Sequence, residues 1–108
     1  MMASFPCPYL SGEVELTGER ERHITERHPD LLPTLRDHIA DTLADPDEVR
    51  KSARLANARL FTRQFDTIGG KHVVVVVISD TVPAKRHWII TTYLASRLVE
   101  GDVEWERS

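Results

Sequence analysis

Arg20, His23, Ile24 and Arg27 follow one another at i, i+3, i+4 and i+7, the spacing that puts side chains on one face of a helix. Imidazole exchanges protons near neutral pH, and a guanidinium is suited to holding phosphate. Ile24 would anchor that face, leaving His23 and Arg27 pointing into a groove beside it. His28 lies five residues beyond His23, about 140° further round a 3.6-residue helix. The two are therefore not a facial HxxxH zinc pair. The plain alternative is a set of surface cations balanced by Glu19, Glu21 and Glu26.

A second source of positive charge is Arg59 to Arg63, where both arginines alternate with Phe61 and Phe65. Arginine beside aromatic rings on a sheet can hold phosphate or stack a base. Thr91 and Tyr93 bring two hydroxyls to one face of a later strand. Acid–base chemistry on a phosphate needs a proton-exchanging group, a cation for the developing charge and a donor to orient the phosphate. His, Arg and Thr or Tyr supply those types. His38, His72 and His87 have no partner that sequence identifies and read as structural or surface residues. No P-loop, GxGxxG, GxSxG or HExxH is present, so those phosphate, dinucleotide, serine-hydrolase and zinc-protease signatures are missing. No Cys/His cluster has zinc-ligand spacing, and the acidic residues are scattered. No metal and no cofactor is expected.

These side chains need elements to hold them. Residues 1–12 contain Pro6, Pro8 and Gly12 without periodicity and read as an N-terminal arm, with a single domain over 13–108. Glu13–Leu16 reads as a short strand. Thr17 suits an N-cap, opening a mostly polar helix near Gly18–His28 that Pro29 limits. A second helix is predicted from about Leu31 to Ala44. Its stripe is Leu32, Leu35, Ile39 and Leu43, Pro33 fits its first turn, and Asp45-Pro46 ends it. Glu48–Arg54 is weakly extended. Ala58–Phe65 alternates, Gly69-Gly70 marks a turn, and Lys71–Ile78 is apolar on both faces, as a central strand would be. His87–Leu94 reads as a strand with His87, Ile89, Thr91 and Tyr93 on one face, and the tail returns as a short pairing segment ending at Trp105. Helices first and strands after predict an α+β fold, two N-terminal helices packed on an antiparallel sheet of about four strands.

With 108 residues, the chain is one domain's length. Its net charge of −3 disfavours a protein held on nucleic acid by bulk charge. The distribution is uneven, however. Residues 1–49 carry a balance of −7, residues 50–86 one of +6, and residues 87–108 one of −2. The single cysteine, Cys7, allows no intrachain disulfide. The first residues have no basic region or long apolar run. The longest apolar stretch, Val73 to Ile78, is too short to cross a bilayer as a helix. The expectation is a cytoplasmic protein with no membrane partner.

The order of short motifs resembles a known family. The chain runs Leu16-Thr17, His23-Ile24, Arg27-His28-Pro29, a helix, Asp45-Pro46-Asp47, Leu60-Phe61-Thr62-Arg63, Gly70-Lys71 into Val73–Val77, Ile89-Ile90-Thr91-Thr92-Tyr93, and Gly101 before Trp105. This is similar to the phage-associated branch of the Barnase–EndoU–colicin–RelE (BECR) nuclease superfamily, over about residues 13–105. The chain has Thr92 where the family pattern has a small residue before the tyrosine. The resemblance implies a RelE-like fold and metal-independent RNA cleavage by 2′-OH attack, as in a toxin or phage-derived effector. It implies His23 as general base or acid, completed by Arg27 and His28. Arg63 would neutralise phosphate, with Thr91 binding it and Tyr93 flanking it. Arg59 and Lys71 would be further substrate contacts. RNA, either tRNA or mRNA, would be the substrate, and an antitoxin or immunity protein the partner. The alternatives are a non-catalytic RNA- or protein-binding module on the same scaffold, or the toxin component of a toxin–antitoxin pair.

Overall fold

A run of five valines builds the centre of the sheet. Val73 to Val77 are each 7% exposed or less, which requires cover on both faces of their strand. The computed structural model describes residues 2–29, 34–82, 84–98 and 100–107. The strands are β1 (Met2–Cys7), β2 (Gly12–Thr17), β3 (Glu48–Lys51), β4 (Ala58–Phe65), β5 (Lys71–Asp80), β6 (Arg86–Ala95) and β7 (Asp102–Glu106). Two helices, α1 (Gly18–Arg27) and α2 (Leu35–Ala44), lie between β2 and β3. The start expected for the second helix, with Leu32 and Pro33, lies outside the described residues.

The seven strands form one mixed sheet in the order β1-β2-β6-β5-β4-β3-β7. This corrects the expected four-stranded antiparallel sheet behind two N-terminal helices. Residues 2–7, expected as part of an arm, pair antiparallel with 12–17 before either helix begins. Pro6 signals a loop in sequence, but β1 is an edge strand, where a missing N–H is tolerated. β2 then pairs in parallel with β6 through Val14–His87 and Glu15–Trp88. At the far edge, β7 adds to β3. Gly101 makes that approach possible. Its φ is +79°, and a Cβ there would lie 2.1 Å from the Lys51 carbonyl oxygen.

Both helices cover one face. Ile24 of α1 and Leu35, Ile39 and Leu43 of α2 pack with Val14, Leu16, Val49, Phe61, Val73, Val75, Val77 and Ile89. The other face carries a smaller cluster of Ala58, Leu60, Val74 and Val76, flanked by Ile78, Ile90, Tyr93 and Leu98. These two layers explain why β5 is apolar throughout.

The alternation of β6 breaks in the middle. Val77 pairs with Ile89 but Val76 pairs with Thr91, leaving Ile90 as an extra residue. Such a bulge shifts which side chains share a face. Ile89 and buried Thr92 therefore face the helices. Thr91 and Tyr93 face the opposite side, away from His87 and Ile89, contrary to simple alternation.

Candidate functional site

β2 pairs with β6 over only two residues, so the β6 edge beyond Trp88 is left to α1. That helix begins where β2 stops. The Thr17 hydroxyl accepts from the Arg20 N–H at 3.1 Å, and Glu19 and Glu21 sit in the first turn, where carboxylates suit the helix dipole. Ile24 is the only buried residue of α1. One apolar anchor leaves the remaining faces free for polar side chains. Arg36 of α2 holds Glu21 through a two-pronged contact of 2.6 and 2.7 Å, tying the helices together.

Alongside β6, α1 borders an open groove of about 740 Å³ lined by Arg20, His23, Arg27, His28, Ile90 and Thr91. Arg20, His23 and Arg27 are exposed, while His28 and Thr91 are half-buried. The His28 ring lies 6.3 Å from that of Tyr93. Neither Arg20 nor Arg27 is ion-paired among the described residues. Two free guanidiniums, two imidazoles and a hydroxyl thus line one concavity. Burial, then the Glu100 charge, pushes the Tyr93 phenol up, with Arg54 opposing. The neutral phenol is therefore favoured at this rim.

The other sequence candidates lie elsewhere. Arg63 faces the helix side, paired across the sheet with Val73. It donates to the main-chain oxygens of Asp41 and Asp45 at 3.4 and 3.2 Å and lies 3.6 Å from the Asp45 carboxylate. It caps the end of α2 and contributes nothing to the groove. Arg59 holds Glu104 at 2.8 Å, and Tyr9 donates to the same carboxylate. That network ties β4, β7 and the turn after β1 together. Lys71 is exposed at the start of β5, next to the Gly69-Gly70 turn, and is not among the groove residues.

The remaining histidines have structural settings. His38 is buried, with Nδ1 3.0 Å from the Thr34 hydroxyl and its ring edge-on to Phe65. His87 Nδ1 lies 2.7 Å from the Ser79 hydroxyl across the β5–β6 pair. Burial, then the Lys85 and Arg59 charges, lowers its pKa. His72 Nδ1 is buried without a partner among the described residues.

Sequence spacing already put Arg20 on the groove face without singling it out as a site residue. Ile90 carried no signal, because only the bulge brings it to the groove. No three His, Cys, Asp or Glu side chains among the described residues gather as they would to hold a metal ion. No described helix is long and apolar enough to cross a membrane. Compared with protein-family models, curated proteins and solved structures, the chain finds no match.

Proposed function

We propose that the α1–β6 groove is the centre of a small endoribonuclease that needs no metal ion. The observation that carries this reading is the meeting of His23, His28, Arg20 and Arg27 with Thr91 in one groove. On this reading His23 takes the proton from an RNA 2′-OH, and the freed oxygen attacks the adjacent phosphorus. The P–O5′ bond breaks, and His28 returns a proton to the departing oxygen. The products are a 2′,3′-cyclic phosphate and a 5′-OH end. Arg20 and Arg27 offset the charge that builds on the phosphate, Thr91 orients it, and Tyr93 flanks it. Arg63, Arg59 and Lys71 have no part in this chemistry. The motif order shared with BECR nucleases supports the reading. RNA in the cytoplasm is the substrate, and an acidic antitoxin or immunity protein over the groove is the proposed restraint.

The test incubates purified protein with total RNA in EDTA and maps new ends. The expected result is cyclic-phosphate ends that disappear in His23→Ala. Intact RNA at high protein excess sinks the nuclease reading. Salt-sensitive RNA binding without cleavage would instead support the non-catalytic module.

A further inference from the structure

Near the end of β5, the side chains of Ser79 and His87 meet outside the groove, unused by its chemistry. The two residues stand opposite each other in the β5–β6 register, with the Ser79 hydroxyl 2.7 Å from His87 Nδ1. Asn57 fixes the main chain at Ser79 from the β4 side. The Ser79 N–H donates to the Asn57 carbonyl oxygen at 3.0 Å, and Asn57 Nδ2 donates to the Ser79 carbonyl oxygen at 3.3 Å. His87 is buried, and its ring packs beside Gly12, where a Cβ would lie 3.9 Å from the ring's Cδ2. Burial, then the Lys85 and Arg59 charges, lowers its pKa, which favours the neutral imidazole that can accept a proton. Ser79 is half-buried and lines a concavity of about 250 Å³, whose other polar side chains are Lys51, Asn57, Arg59, Thr81 and Glu104. None of these residues lines the α1–β6 groove.

We propose that Ser79 and His87 form a second catalytic centre, a serine–histidine pair that hydrolyses small esters carrying an anionic group. It stands independently of the nuclease reading. A hydroxyl becomes a nucleophile when an adjacent base takes its proton. Such pairs are recognised by geometry and role, whatever the local motif, so the missing GxSxG does not count against this one. His87 Nδ1 takes the Ser79 proton as Oγ bonds to the acyl carbon, and negative charge moves onto the ester's carbonyl oxygen. Arg59 is held to Glu104 through Nε at 2.8 Å. Its Nη groups, without a hydrogen bond among the described residues, are left to donate to that oxygen. The bond from acyl carbon to the alcohol oxygen then breaks, and the departing oxygen takes the proton from His87. Water attacks the acyl-serine in the same way. His87 takes its proton, the acyl–Oγ bond breaks, Ser79 regains the proton and a carboxylic acid leaves. Lys51 supplies the preference for an anion. It has no ion pair among the described residues, and the Glu104 carboxylate is already held by Arg59 and Tyr9. The concavity is smaller than the roughly 300–1,000 Å³ of drug-sized pockets, which limits the substrate to a short acyl group on about one ring.

The experiment treats the full chain with a fluorophosphonate probe, locates the adduct by peptide mass spectrometry, and follows hydrolysis of 4-acetoxybenzoate and phenyl acetate. Wild type is expected to carry the adduct on Ser79 and to turn over 4-acetoxybenzoate with the lower KM. Ser79→Ala should lose both adduct and turnover, and His87→Gln should slow both about a hundredfold. Lys51→Met should raise KM for 4-acetoxybenzoate about tenfold, erasing its advantage over phenyl acetate. Circular dichroism checks that each variant folds. Because His87 is buried, Ser79→Ala carries the test if His87→Gln unfolds. Wild-type hydrolysis no faster than that of Ser79→Ala overturns the centre, and so does an adduct spread over other hydroxyls. Equal KM for the two esters in wild type overturns the anionic preference. RNA cleavage without ester hydrolysis overturns this centre and leaves the nuclease reading standing, and ester hydrolysis with intact RNA does the reverse.

Discussion

Replacing Arg63 with methionine should lower stability and leave RNA cleavage unchanged, the reverse of what a phosphate-binding role requires. Its two long hydrogen bonds go to carbonyl oxygens at the end of α2, where a cation is favoured by the helix dipole. Together they contribute about 1 kcal/mol. The Asp45 pair adds about 0.5 kcal/mol, because that carboxylate is 58% exposed and well screened. The guanidinium stands 5.4 Å from the Phe65 ring centre, worth about 0.5 kcal/mol at such a site. Arg107 remains 2.9 Å from the Asp45 carboxylate, so removing Arg63 leaves no carboxylate unpaired. The expected loss is about 2 kcal/mol, which lowers Tm by about 8–12 °C in a domain of this length. Thermal melts supply the first number, and cleavage assays well below the lower midpoint supply the second. His23→Ala should show the mirror image, with an unchanged Tm and no cleavage. If Arg63→Met keeps its Tm but loses cleavage, the placement of Arg63 outside the site is wrong.

Gly101→Ala should cost about 2–4 kcal/mol in chemical denaturation, since its Cβ would meet the Lys51 carbonyl oxygen at a positive φ. A stability equal to wild type would mean that β7 does not approach β3 as described. Adjacent threonines should behave oppositely. The Thr92 hydroxyl is buried without a partner among the described residues, so Thr92→Val should stabilise by about 1 kcal/mol, whereas Thr91→Val should leave Tm alone and slow cleavage. Tyr9→Phe tests a pH dependence at both ends. Burial first, then Glu104, pushes the Tyr9 phenol up to about 12, so its stabilisation is complete below pH 10 and lost as pH rises toward 12. Burial raises the Glu104 carboxyl, but bonds from Tyr9 and Arg59 and the Arg59 and Lys51 charges outweigh it and hold the pKa below 4.5. That stabilisation is complete above pH 4.5 and fades in acid. The variant should lose the alkaline dependence and weaken the acid one in melts across pH, and an unaltered profile would count against the Tyr9–Glu104 link.

The central elements were legible because their signals are local. Thr17 caps α1 as its type suggests, Leu35, Ile39 and Leu43 form the buried stripe of α2, and the valine run marks β5. At the sheet's edges only the return of the tail was legible. Pro6 and Pro8 speak against a strand at 2–7, yet β1 forms because β2 supplies a partner and an edge position excuses the proline. In β7, Asp102, Glu104 and Glu106 outnumber the apolar residues. It pairs through β3 and through Gly101, a glycine whose need is visible only once the Lys51 carbonyl is beside it. The missed strand β1 and the place of β7 beside β3 both depend on pairing partners, which a helix-first, strand-after pattern cannot supply.

Charge shows the same limit at the site. The +6 of residues 50–86 suggests a basic strand face for RNA. Pairing across the sheet and to its neighbours instead spends Arg50 on Glu48, Arg59 on Glu104, Arg63 on Asp45 and Arg86 on Glu15. The guanidiniums left to line the groove, Arg20 and Arg27, come from the acidic first segment. Their helix carries carboxylates at 19, 21 and 26, and Glu21 is held by Arg36. A net balance along the chain thus counts cations without telling which are already held. For a phosphate the free ones matter, because a guanidinium held by its own carboxylate must break that pair before it can bind. The bulge in β6 completes the separation. The extra residue at Ile90 turns Thr91 away from the α2 side, where Arg63 is occupied, and toward the groove lined by Arg20 and Arg27, which are not ion-paired among the described residues.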